Sequence, residues 1–532
     1  MPETDTGILA AAGTHWRIET ADRVTLLVDG AAYFGALARA MEAARASIII
    51  LGWDIRSDLM LLPESSNETL AERFVRLLEA TPGLQIRLLI WDWPLAMGLA
   101  RELLPQWQMA PFHDRLSFVL DDSVPAGGAQ HEKLVVIDGN LAFVGGIDLT
   151  EGRWDTPEHD PRSPHRGPLG GTPPAPFHDV MMLVEGAAAR AVAELAEERW
   201  ERATDDAVEL GSTAAAAAWP ESLEAALEQQ PVAIARTRSA LGERSRVGEI
   251  EALYKAAITA AERLIYIENQ YLTVPAIAQA LAKRLRDAPE LEVVIITPKE
   301  CEGPLETTIM DRGRKTFVAT LEEATDERVV VLTTISRGTA VNVHAKLMIV
   351  DDRFITVGSA NLANRSFGVD NEINLAIEQQ TADPVIRGWR HQLLAEHLGV
   401  TPQALATTED ERGSTIAAIA ALNDLDAPRH CRPLVLEGEP LPELIEGVAE
   451  LADPPEPIIG DQLLGAAVPL RERRRWRRWT GRIAGLTGGV LIAASLLGPR
   501  NPVLAPRLSL GAGLALIALW VVAERLWRPR QR

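Results

Sequence analysis

Apolar positions in this chain fall into two alternating rhythms, and the alternation runs twice. Residues 33–50 carry apolar side chains at helical spacing and then the run Ser47-Ile48-Ile49-Ile50; residues 250–267 do the same and end on Leu264-Ile265-Tyr266-Ile267. A second helix and strand follow each, the strands being Leu84-Gln85-Ile86-Arg87-Leu88-Leu89-Ile90 and Leu291-Glu292-Val293-Val294-Ile295-Ile296. A third apolar strand comes next, 116–120 in one stretch and 329–332 in the other. A repeat of about two hundred residues that alternates helix and strand predicts an α/β fold of two pseudo-twofold-related α/β sandwich halves. The boundaries read as 1–215 for the first half, 216–245 for a linker and 246–400 for the second half.

Beyond residue 400 the pattern changes. Acids and prolines rise over 401–470, in pieces such as Asp453-Pro454-Pro455-Glu456-Pro457, and this composition predicts a linker. Two uncharged apolar runs follow, 483–499 and 508–523, separated by a turn that holds Arg500, Asn501, Pro502 and Arg507. No polar stripe interrupts either run, and Trp476, Trp479 and Trp527 sit where interfacial anchors belong, so 471–532 predicts a two-helix transmembrane hairpin, the shortness of the runs leaving open one that dips into a single leaflet. Arginines cluster outside both ends of the hairpin. The positive-inside rule then puts both ends, and the body that precedes the hairpin, in the cytoplasm, with the protein held on a membrane such as the bacterial inner membrane.

Charge sharpens this division. From residue 471 onward thirteen Arg face two acids, a net +11, whereas the preceding 470 residues hold 40 basic and 72 acidic residues, a net −32. So acidic a body repels a polyphosphate backbone and speaks against a nucleic-acid partner. The two cysteines, Cys301 and Cys431, lack the spacing of a zinc site or a disulfide framework, so no cofactor and no structural metal is expected. The first thirty residues carry Glu3, Asp5, Arg17 and Glu19 without an apolar core, which predicts no cleaved leader.

The chemistry lies in a motif that occurs once per repeat. His131-Glu132-Lys133 runs on through an apolar stretch to Asp138, and His344-Ala345-Lys346 runs on to Asp351. Residues two apart on an extended strand share a face, so each histidine stands beside its lysine. The aspartates, seven positions on, fall on the other face and read as structural. Only six lysines occur in the chain, and two of them are Lys133 and Lys346.

These paired motifs, with Gly358-Ser359-Ala360-Asn361 seven residues after Asp351, resemble the phospholipase D superfamily. Gly145-Gly146-Ile147-Asp148-Leu149, Gly152-Arg153-Trp154-Asp155, Phe177-His178-Asp179, Ile267-Glu268-Asn269-Gln270, and Asn364-Arg365-Ser366 through Asn371-Glu372 add to the likeness, which is closest to phospholipase D proper. The resemblance spans roughly residues 14–400 and implies a metal-free double displacement on a phospholipid. In it His131 is the nucleophile and His344 the general acid, while Lys133, Lys346 and Asn361 hold the phosphate oxygens. Glu372 and Asp179 are the expected carboxylate partners of the histidines. The implied product is phosphatidic acid plus a free head-group alcohol; a cardiolipin synthase-like phosphatidyltransferase uses the same residues and stands as the alternative. Asp148 occupies the position of Asn361 in the first repeat and is left outside the expected site. Residues 155–176, rich in Pro, Gly and His, read as a loop that admits substrate or as a surface insertion.

Overall fold

The computed structural model describes residues 7–92, 113–436 and 453–456, apart from 126, 168–172, 209, 211–218, 242–243, 302–303 and 326. The hairpin expected over 471–532 lies outside the described residues. Among the described residues no helix is long and apolar enough to cross a membrane.

The strand order of the first repeat recurs in the second. Arg17–Val28 pairs with Val180–Gly186, and the ladder continues through Leu141–Gly145, Leu134–Ile137 and Ser47–Gly52, all antiparallel. Gln85–Trp91 and Leu116–Asp121 then add in parallel. In the second repeat the same positions are taken by Leu227–Arg238, Glu372–Glu378, Phe354–Gly358, Lys346–Val350, Leu264–Asn269, Glu292–Ile296 and Val329–Ser336. Arg17–Val28 and Leu227–Arg238 pair antiparallel and join the two ladders.

Period-two alternation decides how the layers stack. In Ser47–Gly52, Ile48 and Ile50 pack with Phe34, Leu37 and Phe74 of the helices Asp29–Ala43 and Leu70–Ala80, whereas Ile49 and Leu51 face a central core. Likewise Ile265 and Ile267 meet Leu253 and Leu281 of the helices Glu249–Ala260 and Pro275–Asp287, while Leu264 and Tyr266 join the central core. That core collects apolar side chains of both ladders together with the helices Ala187–Thr204 and Pro384–Leu398. Strands buried on both faces lack polar alternation, which is why their sequences read as continuous apolar runs.

Two stretches read as linkers carry structure instead. Residues 216–245 contain Leu227–Arg238, the seam strand between the ladders. Residues 402–433 form the helices Pro402–Arg412 and Thr415–Leu422 and the strand Arg429–Pro433, which pairs with Val329–Ser336. Their acidic composition hides this because Glu409, one of the acids, is itself buried against Arg390 and His391. An acid neutralised by partners far along the chain is indistinguishable in sequence from a solvated one.

Candidate active site

Both histidines stand just ahead of strands, not within them: His131 precedes Leu134–Ile137, and His344 precedes Lys346–Val350. Each motif's aspartate closes the far end of its strand. Asp138 accepts hydrogen bonds from the backbone N–H groups of Arg45, Ala46 and Ser47 at 2.7–2.8 Å, and Asp351 accepts from those of Glu262, Arg263 and Leu264 at 2.8–2.9 Å. Each thus fixes the start of the neighbouring strand from a left-handed turn, with φ of 50° at both residues.

Short backbone ladders bring each histidine to the other repeat. The N–H of His131 donates to the Asn371 carbonyl at 3.0 Å, which carries Glu372 alongside; the N–H of His344 donates to the His178 carbonyl at 2.7 Å, which carries Asp179 alongside. Asn342–Val343 and Phe177–His178 form a two-stranded parallel pair that holds the second arrangement. The side chains then cross over. His131 Nδ1 lies 3.0 Å from the Glu372 carboxylate, and His344 Nδ1 lies 2.7 Å from Asp179. Glu372 and Asp179 are fully buried, so each Nδ1 has a fixed partner and each Nε2 is the ring atom left for substrate. Gly146 makes room for this geometry, because a Cβ there would collide with the Asp179 carboxylate. Gly358 lies as closely against the Ile373 carbonyl.

Lys133 and Lys346 are almost wholly buried. Lys346 Nζ contacts His344 Nδ1 at 3.0 Å and Gln270 Oε1 at 3.2 Å. Lys133 Nζ lies 3.2 Å from Asp148 and 5.9 Å from the centre of the Trp53 ring, whose edge faces His131. Asp148 is therefore part of the site, although sequence reasoning left it out: it holds Lys133 with one oxygen and accepts from the Trp53 N–H with the other at 2.9 Å. Its counterpart Asn361 is 4 % exposed, and its side-chain oxygen has no hydrogen-bond partner. Turning that amide over would present its NH2 group to a bound oxyanion.

Burial pushes both catalytic-site imidazoles well below their ordinary value, and the lysines push further in the same direction. Burial, with Asp370, drives the Glu372 carboxyl well up. Asp179 rises to about 7 for the same first reason, against the pull of Lys346. Lys346 itself falls to about 7 through burial, which the Asp179 charge offsets only in part. Burial thus favours the uncharged form of each of these groups.

The stretch 155–176 is anchored in the interior at several points, since Asp155, His159 and Arg166 are buried in it. Arg166 Nη1 pairs with Asp155 at 2.7 Å, and Asp155 meets His159 Nδ1 at 3.2 Å. Nearby, the Arg153 guanidinium stacks 4.6 Å over the Phe177 ring, and its charge is felt at His344. These side chains escaped sequence reasoning because their partners lie far along the chain; the only local signals were the Gly-Arg-Trp and Phe-His-Asp tripeptides.

The chain is similar to known proteins over much of its length. A family model described as "Phospholipase D" matches residues 112–284, and one described as "Cardiolipin synthase, PLD-like domain" matches 254–391. Phospholipase D A of Dictyostelium discoideum is 27 % identical over 478 residues, covering 74 % of this chain and 37 % of that protein. Phospholipase D alpha 4 of Arabidopsis thaliana is 25 % identical over 508 residues, covering 73 % of this chain and 66 % of that one. The chain thus spans between about a third and two thirds of the length of these relatives. Among solved structures, phosphatidylserine synthase of Haemophilus influenzae shares the fold, with a TM-score of 0.51 at 15 % identity over 74 % of this chain and 90 % of that one. With one His-x-Lys motif in each of two matching strand ladders, and family models that together run from one motif through the other, the chain belongs to the phospholipase D superfamily.

Proposed function

We propose that the protein is a phospholipase D-type phosphodiesterase that hydrolyses glycerophospholipids to phosphatidic acid and a free head-group alcohol. One observation carries this reading: two histidines, His131 half-buried and His344 buried, each with its Nδ1 on a buried carboxyl group of the other repeat and a lysine near it. His131, with its proton on Nδ1 beside Glu372, attacks phosphorus through the free Nε2 lone pair, the bond to the head-group oxygen breaks, and His344 delivers the proton carried on its Nε2 to that oxygen. The proton shared with Glu372 rests on His131 Nδ1 once Nε2 is bonded to phosphorus, so the cationic ring has a carboxylate counter-ion. His344 then takes a proton from water, the water oxygen bonds to phosphorus, and the P–N bond breaks. Lys133, Lys346 and the Asn361 amide face the negative charge that accumulates on the phosphoryl oxygens in both steps.

The second family description supports a rival reading on the same residues, in which an alcohol replaces water and the phosphatidyl group is transferred. Purified protein given phosphatidylcholine or phosphatidylglycerol, with and without added glycerol, separates the two. Hydrolysis predicts phosphatidic acid in both samples; transfer predicts a new phospholipid that appears only with the acceptor. Release of neither product from any glycerophospholipid would sink both readings. The membrane substrate also fits the apolar tail at 471–532, which we propose holds the body at a lipid surface.

A further inference from the structure

We infer that Asp29, His159, His178 and Glu396 form a buried site for a divalent transition metal of the zinc class, packed behind the second catalytic histidine. Their donor atoms all lie within 4.8 Å of one another, and every one of the four residues is buried. Glu396 Oε1 is 2.8 Å from His178 Nδ1 and 3.0 Å from His159 Nε2; the Asp29 oxygens are 3.1 Å from His178 Nδ1 and 3.9 Å from His159 Nε2. Four ligands about 2.0 Å from a tetrahedral zinc stand about 3.3 Å apart, which falls inside this range. Two nitrogen donors select against calcium and magnesium, which take oxygen.

A second observation separates this cluster from an ordinary ion-pair network. The Asp29 carboxylate is 0 % exposed, yet neither of its oxygens has a hydrogen-bond partner of proper geometry. It is held in position by a backbone φ of 66°, in the left-handed region, where the chain enters the helix Asp29–Ala43. A buried carboxylate without well-aligned donors is unfavourable in an apolar interior; a metal ion at the centre would take up its lone pairs.

The outer shell has the form that metal-binding histidines need. His159 turns its other nitrogen to Asp155 at 3.2 Å, and Arg166 fixes Asp155; His178 turns its other nitrogen to Glu268 at 2.9 Å, and Tyr266 and His397 fix Glu268. A carboxylate behind each histidine sets the tautomer that leaves a lone pair aimed at the metal. The competing arrangement is one in which both rings carry two protons. Burial opposes that charge, but the surrounding carboxylates outweigh it, raising His159 to about 9 and His178 well above its usual value. A divalent cation supplies the same two positive charges, so metal and protons are alternative occupants of the cluster.

The consequence for the protein is positional. His178 precedes Asp179, and its carbonyl accepts the His344 N–H, so locking His178 locks the second catalytic pair. The test uses the full-length protein in detergent and does not depend on its activity. Metal analysis after gel filtration should find about one zinc per chain, and cobalt(II) loaded in its place should give the visible absorption of a tetrahedral nitrogen–oxygen site. D29N and H159Q should each lose the metal while keeping the far-ultraviolet dichroism of the native fold. Should those variants not fold, the native protein stripped with chelator should melt several degrees lower and recover with one equivalent of zinc. Native protein that is folded without metal, and whose melting and spectrum ignore added zinc and cobalt(II), would overturn the proposal and leave a proton-held network.

Discussion

His131 Nδ1 lies 3.0 Å from the Glu372 carboxylate although 241 residues separate the two along the chain. His344 and Asp179 form the converse pair, so each histidine is oriented by the repeat to which it does not belong. Orientation and proton inventory are thereby coupled across the seam, and the expected effects of substitution follow from that coupling.

Replacing either histidine removes a step for which no neighbouring group substitutes. H131A and H344A are each expected to abolish turnover while the melting temperature moves little. A variant that kept half the native rate would exclude the residue from the chemistry. In quenched reactions with a slow substrate, acid-labile phosphate should be found on His131; label on His344 alone would reverse the roles.

E372Q and D179N keep the shape of each pair but cannot balance an imidazolium. Each should lower kcat by on the order of 10²–10⁴, with KM much less affected, by analogy with carboxylate-to-amide changes in other catalytic triads. G146A should act on the same pair from a distance, since the added methyl displaces the Asp179 carboxylate. Steady-state kinetics on all three checks this, and an unchanged kcat in D179N would separate Asp179 from the reaction.

Lys346, lowered to about 7 by burial, is cationic below that pH and neutral above it. An anionic phosphodiester is therefore held less well as pH rises, and KM should increase by up to roughly fiftyfold between pH 7 and pH 9 as the cationic fraction falls from about one half to about one hundredth. In K346M the KM should be high at pH 6 already and lose most of its pH dependence. A KM that stayed flat in the native enzyme would show that Lys346 does not titrate in this window.

Asp138 and Asp351 each accept three backbone hydrogen bonds from the start of a neighbouring strand. D138A and D351A should cost about 2–4 kcal/mol of stability, because the N–H groups left behind lose a charged acceptor. Denaturant melts read this directly. A loss of activity without any loss of stability would instead point to a role at the phosphate.

A chain ending near Pro469 lacks the apolar runs and the arginines that flank them. It should leave the membrane fraction while retaining activity on dispersed substrate. Full-length protein that stays in solution without detergent would remove the basis for a lipid anchor.

Much of the frame was legible from sequence because period-two and helical rhythms report burial locally: the strands beginning at Ser47, Leu264 and Glu292 were readable as apolar runs. His131, Lys133, His344 and Lys346 were legible because a two-residue spacing brings His and Lys together without reference to the rest of the fold. Glu372 and Asp179 were legible through family resemblance alone, since no local rule links residues 241 or 165 positions apart. Asp148 was left outside the expected site because it replaces the Asn361 of the other repeat and so cannot bind a phosphate oxygen in the same way; in the structure it orients a neighbour, Lys133. The seam strand Leu227–Arg238 was concealed by polar residues at its start, such as Glu228 and Gln229, before the buried stretch beginning at Val232. Glu409 misled in a comparable way, as an acid whose neutralising partners lie on another helix.

The crossed pairing has a further meaning for a chain that is made from one end to the other. His131 leaves the ribosome well before Glu372 exists, by about 12–48 s at ordinary synthesis rates of roughly 5–20 residues per second. During that interval the first repeat can fold its strands yet owns only an unoriented histidine. Under the proposed function, a nascent chain near a membrane is therefore unable to cut the lipids around it, and competence to react appears only when Glu372 has been synthesised and docked.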